Sequence, residues 1–231
     1  NDAHWRIWIC PGTYVESVTL PNLANPDNYL FHAMDVNWSS IGIVQNLIQT
    51  VIWRPGVSGT PCIAQPTDQK HCSFRGIYFN NAITQNEHLI SDLPRTARFD
   101  GCSFRQFDSN FEIFANAGTS TAGLHLEKCI LVGGSFMRLL VSDLYLQKNY
   151  INVGLDFRTL GGLHRAYVVD NIFSVNNAEA AFACTSSSYL TISRNRIFQN
   201  GIGDGLEVGT TGFANRKVII TDNQIDAGMA I

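Results

Sequence analysis

The chain has 231 residues, 45% of them apolar and only 15% charged, with a formal net charge of −3. That length suits one domain, or one solenoid whose size is set by its number of repeats. The negative charge and the lack of any Lys/Arg run argue against a nucleic-acid binder, and no apolar run approaches the roughly 20 residues that span a bilayer.

Residues 5 to 20 hold two alternating strands around Pro11-Gly12, a pair that marks a tight turn. Residues 21 to 70 are less regular. Asn25-Pro-Asp-Asn28 is turn chemistry. Ile41 to Val44 and Thr50 to Trp53 are strand candidates, and Arg54 to Gln69, with three Pro and two Gly, reads as a surface loop. Asn37-Trp-Ser39 is a glycosylation sequon, a weak signal on its own.

From residue 71 a single frame takes over: apolar, x, apolar, x, x, corner, x, apolar. It fits Leu144, Leu146, Asn149, Ile151, then Ala166, Val168, Asn171, Phe173. It fits Leu190, Ile192, Asn195, Ile197, then Val218, Ile220, Asn223, Ile225. With Cys at the corner it fits Ala97, Phe99, Cys102, Phe104 and Leu124, Leu126, Cys129, Leu131; Phe74, Ile77, Phe79 is a weaker copy. Period-two alternation is a half-buried strand. A single Asn breaking it suits a one-residue corner, because Asn tolerates the left-handed conformation.

Successive corners lie about 20 to 28 residues apart, the signature of a stacked repeat with variable loops. A further strand follows each corner, at 110–115, 135–141, 155–158, 179–184 and 205–208, several of them after Gly-rich bends. The expected fold class is all-β: a parallel β-helix of about nine rungs with an Asn/Cys corner ladder. It forms one domain over 1–231, with irregular opening rungs and loop at 1–70 and regular rungs at 71–231. Because a solenoid needs caps, the strand-like ending Asp226-Ala-Gly-Met-Ala-Ile231 is expected to continue beyond the C-terminus or to be covered by a partner.

The six Cys, at 10, 62, 72, 102, 129 and 184, match no zinc spacing. Cys102 and Cys129 fall at the same corner of adjacent rungs. A disulfide is sterically open there, and stacked free thiols are the expected state. No metal or other cofactor is expected.

This pattern resembles the pectin-lyase-like superfamily of right-handed parallel β-helices. Asn149, Asn171, Asn195 and Asn223 match its Asn ladder, and Pro-Gly-Thr-Tyr-x-Glu-x-Val-x-Leu at 11–20 looks like its opening rung. By repeat the resemblance covers about residues 66 to 231. It implies a right-handed coil, but not one activity, since the fold hosts lyases, hydrolases, esterases, epimerases, adhesins and phage tailspikes. The Asn-Thr-Asp, Asp-Asp and Gly-His-Gly motifs of polygalacturonases and the Arg/Lys pattern of pectate lyases are missing.

Stacked rungs place equivalent outward residues in columns. Four residues ahead of each corner lie Arg98, His125, Tyr145, Tyr167, Thr191 and Ile219; two ahead lie Asp100, Glu127, Gln147, Val169, Ser193 and Thr221. Aromatic rings beside carboxylates and amides suit a glycan. Arg98, His125, Tyr145, Gln147 and Tyr167 are therefore candidate glycan-binding residues. Asp100 and Glu127 are a candidate catalytic pair, because two close carboxylates raise one pKa and a short separation suits a retaining glycosidase. The same residues also read as a surface charge ladder in which Arg98 and His125 neutralise the acids. Glu112, Asp156, Asp204 and Glu207 form a second candidate groove.

Two functions follow. One is a glycan-binding or polysaccharide-processing β-helix, tailspike-like or otherwise extracellular or virion-associated; if it is an enzyme, it is a polysaccharide hydrolase or lyase. The other is a non-catalytic structural β-helix, a virion component or adhesin shaft. The expected partner is a polysaccharide or cell-surface glycan. The tailspike resemblance adds a homotrimer, with outward Ile219 and Val169 facing a neighbour.

Overall fold

In the computed structural model, the chain is described over residues 4–19, 28–34, 51–57, 59–64, 72–81, 88–91, 96–107, 112–115, 123–133, 137–158, 165–176, 180–184, 189–208 and 217–227. These residues form a parallel β-solenoid. One nine-stranded sheet contains, in spatial and chain order, His4–Ile9, Asn28–Ala33, Cys72–Arg75, Thr96–Asp100, Gly123–Glu127, Asp143–Gln147, Arg165–Val169, Tyr189–Ser193 and Lys217–Thr221. A second, running from Gly12–Val15 to Gln224–Ala227, also has nine strands. The third side consists of two separate four-stranded sheets. Counted on all three sides, the coils are therefore fewer than the nine expected, because eight strands close the third side among the described residues.

The irregular-looking opening stretch belongs to the same coil. Val51–Arg54 lies between Gly12–Val15 and Ile77–Asn80 in the second sheet. The expected loop at 54–69 includes a short strand, Ile63–Ala64, paired with Val18–Thr19 and Ile90–Ser91. The strand candidate at 41–44, the sequon at Asn37 and most of the turn at 25–28 lie outside the described residues.

The apolar positions of the repeat fill the interior. Phe99, Phe104, Leu126, Leu146, Ile151, Val168, Phe173, Ile192 and Ile197 are all buried. Near the N-terminal half the core is two aromatic columns. Phe31, Phe74 and Phe99 stack with centroids 5.0 Å apart at each step. Trp53, Phe79 and Phe104 stack at 6.0 and 5.2 Å. The columns meet edge to face, Phe99 lying 5.2 Å from Phe104. Ile220 and Ile225, expected to be buried, are instead 44% and 46% exposed. Their strands are the last in each nine-stranded sheet, so no further described coil covers them.

The corner ladder is present, with one correction. Asn149, Asn171, Asn195 and Asn223 occupy one column, as the strand registers on either side require. The left-handed residue, however, is the one before each corner residue, whether Asn, Cys or, at 77, Ile. Gly76, Gly101, Lys128, Lys148, Asp170, Arg194 and Asp222 all have φ between 53° and 69°. A residue with a Cβ pays about 1–2 kcal/mol for that conformation, and the ladder supplies compensating bonds. Asn171 Nδ2 donates to Leu146 O at 2.8 Å and to Asn195 Oδ1 at 3.0 Å, while its Oδ1 accepts from Asn149 N at 3.0 Å. Asn195 and Asn149 repeat the pattern. Cys129 continues it more weakly, its thiol reaching Phe99 O at 3.4 Å. Cys102 and Cys129 are free and buried. Burial pushes the Cys102 thiol up to about 12 and the Cys129 thiol well above its ordinary value.

Candidate glycan-binding face

The outward side of the first sheet carries the candidate residues, because strand alternation sends Leu124, Leu126, Leu144 and Leu146 inward and their neighbours out. Arg98 pairs in register with His125, His125 with Tyr145, and Tyr145 with Tyr167. Two residues further along each strand, Asp100 pairs with Glu127 and Glu127 with Gln147. The sequence-derived columns are thus brought together. His125 and Tyr145 have ring centroids 5.4 Å apart, and Tyr145 and Tyr167 are 5.9 Å apart. The two tyrosines are 39% and 37% exposed. Val169 departs from the expected pattern: it keeps its register with Gln147 but is only 1% exposed, not open to a neighbour.

The acids are held by cations. Glu127 Oε2 accepts from Arg98 Nη2 at 3.1 Å, and its Oε1 lies 3.2 Å from Lys128 Nζ. Asp100 Oδ2 is 3.5 Å from Arg75 Nε, while its Oδ1 is buried without a hydrogen-bond donor among the described residues. Burial alone would raise the Glu127 pKa, but the Lys128 hydrogen bond and the charges of Lys128, Arg98 and His125 outweigh it and hold the carboxyl below its ordinary value. The shift at Glu127 is thus set by its cations and not by Asp100. His125 is also held below its ordinary value, first by burial and then by Arg98. At the corner, Arg194 pairs with Asp170 through Nε–Oδ1 at 2.7 Å and Nη2–Oδ2 at 3.0 Å, lowering the Asp170 pKa.

These shifts fix a pH dependence. Glu127 and Asp170 have folded pKa values below their unfolded ones, so their contribution is present above the unfolded carboxylate range and is lost as pH falls through the folded values. His125 and His32, both lowered by burial and arginine charge, add a penalty once pH drops below the unfolded value of about 6.5. All four act in one direction. The urea midpoint should therefore fall steadily from pH 7.5 through pH 6 to pH 3; a midpoint that rises on acidification contradicts these pairings.

The second candidate groove does not assemble as one column. Asp156 and Glu207 share a register column with Ala183 between them. Glu112 instead precedes Phe114–Ala115, in the other four-stranded sheet. Glu207 and Asp204 are exposed, and Asp204 O accepts a backbone bond from Ala181 N at 2.8 Å.

The sequence reading missed Arg75 and Lys128, the partners of the two acids. Arg75 lies in the weakest repeat copy, and Lys128 occupies the left-handed corner. It also missed that Trp8 and His32 lie in the same outward column as Arg75 and Asp100. Among the described residues no group of three or more His, Cys, Asp or Glu converges as a metal site, and no helix is long and apolar enough to cross a membrane. No family model, curated protein or solved structure matches the chain.

Proposed function

We propose that the outward face of the first sheet binds glycan without processing it. The carrying observation is the ring ladder His125–Tyr145–Tyr167 on three consecutive strands, both tyrosines exposed, beside a belt of Arg, Asp, Glu and Gln. Flat rings cover the apolar face of a pyranose, and paired polar groups bond its hydroxyls. Glu127 is ill suited to act as a general acid, because that role needs a carboxyl whose pKa lies near the working pH, whereas Lys128 and Arg98 pull it lower. The Asn ladder and the Pro11–Tyr14 opening support kinship with the right-handed, pectin-lyase-like β-helices, and with it an extracellular or virion-associated, tailspike-like setting and a homotrimer. A structural role is the second reading. It is favoured by the ion pairs Arg98–Glu127 and Arg75–Asp100, which engage the outward acids as a purely structural charge ladder would.

A broad glycan array tests the first reading. Wild type and Glu127→Gln should bind the same glycan, and Tyr145→Ala and Tyr167→Ala should each weaken it about fivefold or more. Product analysis should find the glycan intact. Cleavage by wild type that Glu127→Gln abolishes would establish processing instead; no binding at all would leave the structural reading.

A further inference from the structure

The same face holds a second aromatic platform. Trp8 is 56% exposed, and its ring stands edge-on to His32 with centroids 5.2 Å apart. Arg6 Cζ lies 5.8 Å from the Trp8 ring centroid. Register carries Trp8 through His32, Arg75 and Asp100 to Glu127 on five consecutive strands. One end of the face therefore presents Trp8 with His32, and the other presents His125, Tyr145 and Tyr167.

In the belt between them each cation is held against an acid, Arg75 against Asp100, and Arg98 and Lys128 both against Glu127. Burial and nearby arginines disfavour the charged form of both His32 and His125, so neither ring adds a cation at neutral pH. Such a surface offers donors and acceptors, with its belt cations engaged by acids rather than open to an anion. Its period is also informative. Strands lie about 4.8 Å apart, close to the advance of one β-linked pyranose in an extended chain. From the strand of Trp8 to that of Tyr167 is six steps in the sheet order, about 29 Å at that spacing.

Building on the glycan-binding reading, we propose that Trp8 forms the far subsite for a linear, uncharged, β-linked polysaccharide lying along the solenoid axis with one sugar per strand. The two platforms hold the ends of the bound stretch, and the ion-paired belt bonds the hydroxyls between them. A trisaccharide covers His125, Tyr145 and Tyr167 alone, whereas a heptasaccharide also reaches Trp8.

Calorimetry on the whole chain tests this with β-1,4-linked glucose and N-acetylglucosamine oligomers of three and seven sugars, alongside uronate oligomers of the same lengths. A neutral heptamer should bind about tenfold more tightly than its trimer, with little dependence on salt. Trp8→Ala should remove that advantage and leave trimer binding unchanged, Trp8→Phe should retain most of it, and Tyr145→Ala should weaken both lengths. Equal affinity of wild type for three and seven sugars overturns the proposal without needing any variant. So does unchanged heptamer binding by Trp8→Ala, or a preference for uronates that salt abolishes. An array hit without binding of these oligomers overturns it while leaving glycan binding intact; no hit on the array removes both.

Discussion

Replacing Phe99 with Ala is expected to lower the unfolding free energy by about 3–5 kcal/mol. Phe99 is fully buried where four rings meet. It stacks on Phe74 at 5.0 Å, stands edge-on to Phe79 and Phe104 at 6.2 and 5.2 Å, and lies 5.3 Å from Phe114. Its backbone strand is paired on both sides, so the surrounding coils have little freedom to close the cavity. The cost should therefore approach the full sum of lost transfer and cavity terms. Phe99→Leu, which keeps most of the volume, should cost clearly less. Urea denaturation of the two variants checks this, and a loss of under about 1 kcal/mol for the Ala variant would contradict the packing described.

The second large effect is expected at Asn171. Asn171→Leu keeps the approximate volume but removes both ends of the amide. Asn149 N loses its acceptor, and Leu146 O and Val169 O lose a donor, all within a buried column. Each polar group left unsatisfied costs about 1–3 kcal/mol, so the total should rival that of Phe99→Ala. The neighbouring left-handed Asp170 would also lose the bonds that accompany its corner. Asn223→Leu serves as the control. It is only partly buried at the last described rung, and among the described residues its side chain bonds back to Asn195 and Ile192, so its cost should be smaller. Equal losses at the two positions would mean that the ladder does not act through burial.

The sequence made the stacking legible because the inward side chains repeat with a fixed offset from the corner. Leu146, Val168 and Ile192 could be aligned without knowing any loop. The turn geometry was harder to read. The buried Asn and the left-handed residue are adjacent, and Lys128, Lys148 and Arg194 are not residue types that announce a positive φ. Gly76 and Gly101, one position before the first two corners, were the available signal. The candidate face was legible as composition, since His125, Tyr145 and Tyr167 share an offset, but its electrostatics were not. The state of Glu127 depends on Lys128, which a column-by-column reading assigns to the corner. Trp8 and His32 were out of reach because Val51 and Ile77, not Asn, hold the upstream corner positions, and the connections there vary too much to count across.

The strand order has a further consequence. In each nine-stranded sheet every coil is bonded only to the coil before it and the coil after it. Such a molecule behaves as a one-dimensional lattice: cooperativity passes from neighbour to neighbour, and opening begins as fraying at a terminus. The coil bearing Ile220 and Ile225 is the last of the described ones, and the Phe99 coil has described neighbours on both sides. Because the bonding at each step is nearly the same, a coil can be gained or lost in evolution without redesigning the rest. The length of any ligand track on its flank would change in the same increments.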